Sequence, residues 1–195
     1  MKKLALYLLA LGVAACLAVE IPQSFAGGGA APITTPDKGD GGTTGGRDGG
    51  ANAGLTLTRY EGDGFSILYP QGWETFEDEE SLIFDSNSDD FTAPYIEMYF
   101  FEMDPVPVQD FTDEVLYNYE SWFEDVVVTD RELVSDSAEM FMVYYTSDGL
   151  PLAEFSVTMT DAEGYALIAS YVSGESRWDE YDGVTLLADM LDSIE

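Results

Sequence analysis

The run MFMVYYTSDGLPLAEFSVTMT, residues 140–160, constrains the fold more than any other part of the chain. Two long stretches rich in valine, tyrosine, phenylalanine, methionine and threonine flank Asp148-Gly149. An Asp-Gly pair readily takes positive φ at two successive positions, which a two-residue hairpin turn requires. The pattern therefore predicts strands over 140–146 and 151–160, paired antiparallel. A tight turn over 161–164 and an apolar run over 165–172 bring a third strand alongside. Such a meander needs a cover for its apolar side.

Helical spacing supplies two covers. Phe111, Val115, Leu116, Tyr119, Trp122 and Phe123 recur three and four apart, which predicts a helix over 111–125. Asp110 or Thr112 can cap its start, and Asp113 and Glu114 suit the positive end of its dipole. Tyr181, Val184, Leu187, Leu191 and Ile194 predict a second helix over 177–194, capped by Ser176, with Asp179 in its first turn. Gly183 weakens that helix by about 1 kcal/mol relative to alanine. Further strands are expected over 55–60, 65–69, 73–76, 81–84, 95–103 and 126–134. Turns fall at Gly62-Asp63-Gly64 and Pro70-Gln71-Gly72, and Asp104-Pro105 and Pro107 stop the fifth strand. The fold class is α+β, an antiparallel β-sheet covered by two main helices. The alternation of apolar and polar residues predicts one covered face.

The folded part does not fill the chain of 195 residues. Residues 1–26 have a basic start, an apolar stretch over 4–19 and a more polar end, the pattern of a secretory leader. Ser24 and Ala26 suit cleavage before Gly27, whereas Val13-Ala14-Ala15-Cys16 resembles a lipoprotein box that would leave Cys16 lipidated. An uncleaved anchor is the third alternative. Residues 27–54 contain 11 glycines in 28 positions. That composition makes a flexible spacer, because it cannot bury enough apolar surface to offset its ordering entropy. Residues 55–195 form a single domain, long enough for a substantial core.

Charge narrows the partners. The net charge is -31, and loss of Lys2, Lys3 and Glu20 with the leader makes the mature chain one unit more acidic. Nucleic acid is excluded as a partner, since phosphates need cations, and so is a basic face on an anionic membrane. A cationic partner, bound cations or a salt-rich, halophilic setting fits instead. Membrane contact would run only through a lipid anchor at Cys16.

Histidine is absent, the one cysteine lies in the leader, and no lysine follows Lys38. Serine-histidine and cysteine-histidine catalysis, thiolate or imidazole zinc sites and a lysine nucleophile in the domain are thereby excluded. A carboxylate-based hydrolase needs only two acids, but all except Glu20, Asp37, Asp40 and Asp48 of the 38 Asp and Glu residues fall in the domain, so no pair stands out.

One stretch invites a metal reading. Asp85, Asn87 and Asp89 alternate as the first oxygen ligands of a calcium loop do. The match then breaks: Asp90 stands where an EF-hand needs glycine, Ile96 where it needs glutamate, and Glu97 comes one residue late. These three residues are the candidate metal ligands, with calcium the candidate ion, set against a solvated turn between two strands. No other cofactor is expected. Tyr95, Tyr99, Tyr144, Tyr145 and Tyr171 are divided between core, sheet surface and an aromatic protein interface.

GFSILYPQGWE, residues 64–74, resembles the opening of PsbP/Mog1-like domains, a group that includes periplasmic DcrB-type proteins. Their second strand ends in a similar tyrosine-proline, turn and tryptophan. The order of strands, mid-chain helix, meander and C-terminal helix is also similar. The resemblance implies an αβα sandwich, and members that bind other proteins or support assemblies at membranes, photosystem II being one. Metal sites proposed in the family use histidine, so no family site residue carries over. On its own chemistry, Trp73 should fill the core.

The combined expectation is an exported, strongly acidic, non-catalytic protein-binding or assembly-support domain at the cell envelope, its partner an envelope protein with a basic patch. A calcium-dependent surface module and a carboxylate-based hydrolase are the alternatives.

Overall fold

The computed structural model describes Asn52, residues 55–62 and residues 65–195. The leader, Cys16, nearly all of the spacer and Asp63-Gly64 lie outside the described residues, and the divisions at residues 26 and 54 fall there too.

Among the described residues nine strands form, in order: β1 (Leu57–Glu61), β2 (Ser66–Pro70), β3 (Glu74–Glu77), β4 (Ser81–Asp85), β5 (Tyr95–Glu102), then β6 (Glu124–Ser135), β7 (Ala138–Ser147), β8 (Leu150–Thr160) and β9 (Tyr165–Gly174). Helix α1 (Val108–Trp122) lies between β5 and β6. A 3-10 segment (Glu175–Glu180) and helix α2 (Gly183–Asp192) close the chain. The main sheet runs β3-β4-β5-β9-β8-β7-β6, antiparallel throughout, and β1-β2 is a separate hairpin.

The meander forms as its sequence dictates. Ser147 pairs with Leu150 across the turn. Asp148 at φ 50° and Gly149 at φ 77° both take left-handed backbone, the geometry that continues the strands' own twist. Because β5 and β6 lie far apart in the sheet, the chain must cross it, and α1 makes that crossing.

Both faces are covered, which corrects the expectation of one. Period two sends Ala153, Phe155, Val157 and Met159 of β8 to one side, where they join Met98, Tyr171, Leu187, Met190 and Leu191 in the larger core. α2 and the β1-β2 hairpin supply that core's cover, and Trp73 is buried there with its edge against Tyr181. The other side packs Phe111 and Val115 of α1 on Phe141, Val143, Tyr145 and Leu152. This arrangement is the αβα sandwich.

Two helix boundaries differ from expectation. α1 begins three residues early, at Val108, with Pro107 as N-cap and no side-chain cap. Thr112 lies inside the helix, its hydroxyl donating to the Val108 carbonyl at 2.9 Å. The C-terminal helix is not continuous from 177: the chain is extended at Tyr181, and Asp182 caps α2 by accepting from the Thr185 amide at 3.2 Å and its hydroxyl at 2.8 Å.

Candidate functional site

A seven-stranded sheet is about 29 Å wide at 4.8 Å per strand, whereas a helix with its side chains covers about 10–12 Å. α1 packs on β6, β7 and β8, leaving the floor beside it, over β5 and its neighbours, to smaller cover. A cavity of about 570 Å³ opens there, walled by Tyr95, Tyr99, Tyr119, Tyr145, Phe123 and Trp122, with Glu97 and Glu154 in its floor. A second hollow of about 490 Å³ shares Tyr95 and Glu97 and continues toward Phe76, Phe91 and Asp85. Trp122 is 72% exposed and Phe91 82%, so an unburied aromatic ring stands at each end of the groove.

Glu154 organises the floor. It is fully buried in mid-β8, and three hydroxyls donate to it: Tyr119 Oη at 2.5 Å and Ser156 Oγ at 2.7 Å to Oε1, and Tyr145 Oη at 3.1 Å to Oε2. Ser156 also meets Ser170 Oγ of β9 at 3.0 Å. A buried carboxylate survives only with such partners. They also fix the tilt of two wall rings, Tyr119 lying edge-on to Tyr145 at 5.6 Å.

Glu97 is half-buried on β5 and accepts from Tyr99 Oη at 3.3 Å. Burial first, and then the charge of Glu154, push its carboxyl up to about 8; the Tyr99 hydrogen bond opposes this. The phenols of Tyr95, Tyr99, Tyr119 and Tyr145 are all raised, burial being the largest cause in each case and carboxylate charge adding to it.

Among the described residues, no basic side chain lines either hollow. Of the three arginines among the described residues, Arg59 pairs with Glu195 at 2.6 Å and Arg131 with Glu139 and Asp113 at 2.7 Å each, while Arg177 holds Glu180 and Asp90, the latter a lining residue of the second hollow, at 2.6 Å each. Among the described residues, no basic side chain is paired with Glu97 or Glu154, the carboxylates of the floor.

Of the candidate calcium residues, Asp85 ends β4 and lines one end of this groove, while Asn87 and Asp89 lie in the turn that follows. Asp85 Oδ1 accepts from the Asn87 amide at 2.9 Å and Asn87 Oδ1 from the Asp89 amide at 3.4 Å. Asp90 accepts from the Thr92 amide and hydroxyl at 3.0 and 2.8 Å and from Arg177 at 2.6 Å. Successive side-chain-to-backbone turns use short polar residues at this alternate spacing. Among the described residues, no group of three or more His, Cys, Asp or Glu is placed to hold a metal. Calcium and magnesium, each at 5 mM and equal ionic strength, should raise the thermal midpoint equally. A shift specific to calcium would assign Asp85, Asn87 and Asp89 to the ion.

The sequence singled out Glu97 only as a glutamate one residue late for a calcium loop, and it did not single out Glu154. Glu154, Ser156 and Thr158 alternate with apolar residues, a pattern that does not distinguish a solvent face from one under a helix; α1 covers them, with Thr112 Oγ1 2.6 Å from Thr158 Oγ1. Of the five singled-out tyrosines, Tyr95, Tyr99 and Tyr145 wall the cavity, while Tyr144 and Tyr171 belong to the opposite core.

A fully antiparallel sheet between one helix on each face, with an acid-floored aromatic groove beside the mid-chain helix, defines the class: an αβα sandwich with one half-open side. The fold is that of the PsbP/Mog1-like domains. The Ran-binding protein Mog1p of Saccharomyces cerevisiae superimposes with a TM-score of 0.55 at 11% identity over 72% of this chain and 95% of its own. A mutant form of Mog1 gives 0.54 at 11% identity over 72% and 96%. LpqN of Mycobacterium tuberculosis, described as involved in cell envelope biogenesis, gives 0.42 at 14% identity over 71% and 88%. No protein-family model matches the chain, and no curated protein matches its sequence.

Proposed function

We propose that this chain is an exported, non-catalytic protein-binding domain of the cell envelope that receives a basic segment of its partner in the groove beside α1. One observation carries the reading: a groove with exposed aromatic rings at both ends, carboxylates in its floor and no basic lining residue. Exposed aromatics provide buried anchor area when a partner docks, and uncompensated charge of one sign speeds encounter with the opposite sign. The yeast protein of the same fold is a Ran-binding protein, so the scaffold is compatible with such a role. Export rests on the leader pattern, and the glycine-rich spacer would hold the domain away from its attachment point, at Cys16 if that residue is lipidated.

The hydrolase alternative meets a physical obstacle. Both oxygens of Glu154 already accept from Tyr119, Tyr145 and Ser156, whereas a glycosidase carboxylate must face the bond it attacks or protonates.

The test is capture from the host's envelope fraction at 50 mM and 1 M salt, with the wild-type domain and with Phe91→Ala/Trp122→Ala. One partner should be retained at low salt, released at high salt, and recovered at least tenfold less by the double variant. Capture indifferent to both salt and the double variant, or no partner at either salt, would overturn the reading.

A further inference from the structure

We propose that the cavity beside α1 is the seat of a single guanidinium group, an arginine side chain of the partner, held against the tyrosine rings with Glu97 as its counter-ion. This rests on the binding role proposed above and names what that role recognises.

Tyr95, Tyr99, Tyr119 and Tyr145 surround the space, with Trp122 at its mouth. Aromatic faces attract cations, and a planar guanidinium also stacks on them. The Tyr119 and Tyr145 hydroxyls donate to Glu154, so these phenols are turned toward a carboxylate and leave only lone pairs and ring faces for a guest. The Tyr119 and Tyr145 walls thus accept N–H groups and donate none. Arginine, with five donors and a low hydration cost among cations, is the side chain best matched to them.

The floor then supplies the charge. Glu154 is spent on its three donors, whereas Glu97 lines both hollows with a single contact at 3.3 Å. The titratable and polar groups that share the two hollows with Glu97 are acidic or neutral: Tyr95, Tyr99 and Glu102 on its own strand, Glu154 on β8, Ser170 paired with it on β9, Tyr145 and Ser147 on β7, Glu114, Asn118 and Tyr119 on α1, and Asp85, Ser88, Asp90 and Asp148 at the far end. Glu97, raised by burial and by Glu154, is largely protonated at pH 7 in the empty groove. A guanidinium beside it favours the carboxylate, so the proton passes to solvent as the cation enters. Docking is then coupled to proton release and tightens as pH rises toward 8.

The experiment is titration calorimetry of the mature chain with the probe peptide acetyl-Ala-Arg-Ala-amide, at pH 7, in two buffers of different ionisation enthalpy. The arginine peptide should bind with release of up to one proton. Its citrulline counterpart, neutral and of the same shape, should bind at least tenfold more weakly, and the lysine counterpart several-fold more weakly. Glu97→Gln should weaken the arginine peptide at least tenfold and abolish the proton release. Tyr99→Leu, which keeps both carboxylates, should weaken it without abolishing the release. Equal binding of arginine and citrulline peptides, or of arginine and lysine peptides, overturns the guanidinium assignment. So does absence of binding by the arginine peptide. If partner capture persists and remains sensitive to the aromatic double variant, the protein-binding role stands without this inference; if capture is absent as well, both fall.

Discussion

Gly183→Ala lowers the stability of the domain by about 3 kcal/mol, read as a shift in the urea midpoint at constant slope. Helix propensity alone points the other way, since alanine is favoured over glycine by about 1 kcal/mol. Packing decides the sign. A Cβ on Gly183 would meet Cδ1, Cε1 and Cγ of Tyr171 at 2.1, 2.2 and 2.6 Å. Tyr171 is fully buried and its ring packs against Trp178 at 5.2 Å, so it has nowhere to go. Gly183 is the first residue of α2, and the helix is tied in place by the Asp182 cap and by Leu187, Met190 and Leu191 in the core. Accommodating the methyl group moves either the helix or the ring. Tyr171→Phe leaves the same ring carbons in place and should not rescue the variant, whereas Tyr171→Leu should couple favourably with it in a double-mutant cycle. A Gly183→Ala protein as stable as the wild type would mean that α2 does not sit this closely on β9.

The same glycine shows what was legible in the sequence and what was not. Its helix was legible from the spacing of Val184, Leu187 and Leu191, all of which are buried. Its start was not, because the apolar period runs backward through Tyr181 without showing that Asp182 turns the chain. α1 was missed by three residues for a similar reason: Pro107 opens it with no side-chain cap for a reader to find. The β7-β8 hairpin was legible because Asp148-Gly149 is a local signal, and the core position of Trp73 because its environment is set by the adjoining turn. The groove is a different kind of object. Its floor joins β5 to β8, residues more than fifty positions apart, and its lid arrives on a crossover helix. Period two put Glu154 on a polar face, but whether that face meets water or α1 is decided by tertiary packing. Thirty-eight acids in one chain then hide the two whose surroundings are unusual.

The pH dependence of stability follows from one of those two. Glu97 sits at about 8 in the folded domain against an ordinary 4.5. Between those values the folded state holds a proton that the unfolded chain has released. Stability therefore falls as pH rises through this window, since it rises with pH only where the unfolded state binds more protons. Below 4.5 both states are protonated and nothing is lost; above 8 both are ionised and the loss is complete. The expected loss is on the order of a few kcal/mol, each pH unit of difference being worth about 1.4 kcal/mol before solvent access reduces it. Asp85, also raised by burial, contributes in the same sense from its ordinary 3.8 upward. The slope between pH 6.5 and 8 belongs to Glu97, because exposed carboxylates have finished titrating and the raised tyrosines ionise only above 10. Urea midpoints at fixed 0.5 M salt, which screens the net charge, should decline from pH 6.5 to 8.5 in the wild type and stay level in Glu97→Gln. The variant should overtake the wild type near the top of that range, since an amide replaces a carboxylate that has become charged beside Glu154. A wild-type midpoint that stays level would mean that Glu97 is already ionised at neutral pH in the empty groove, and it would remove the proton release expected when a cation docks.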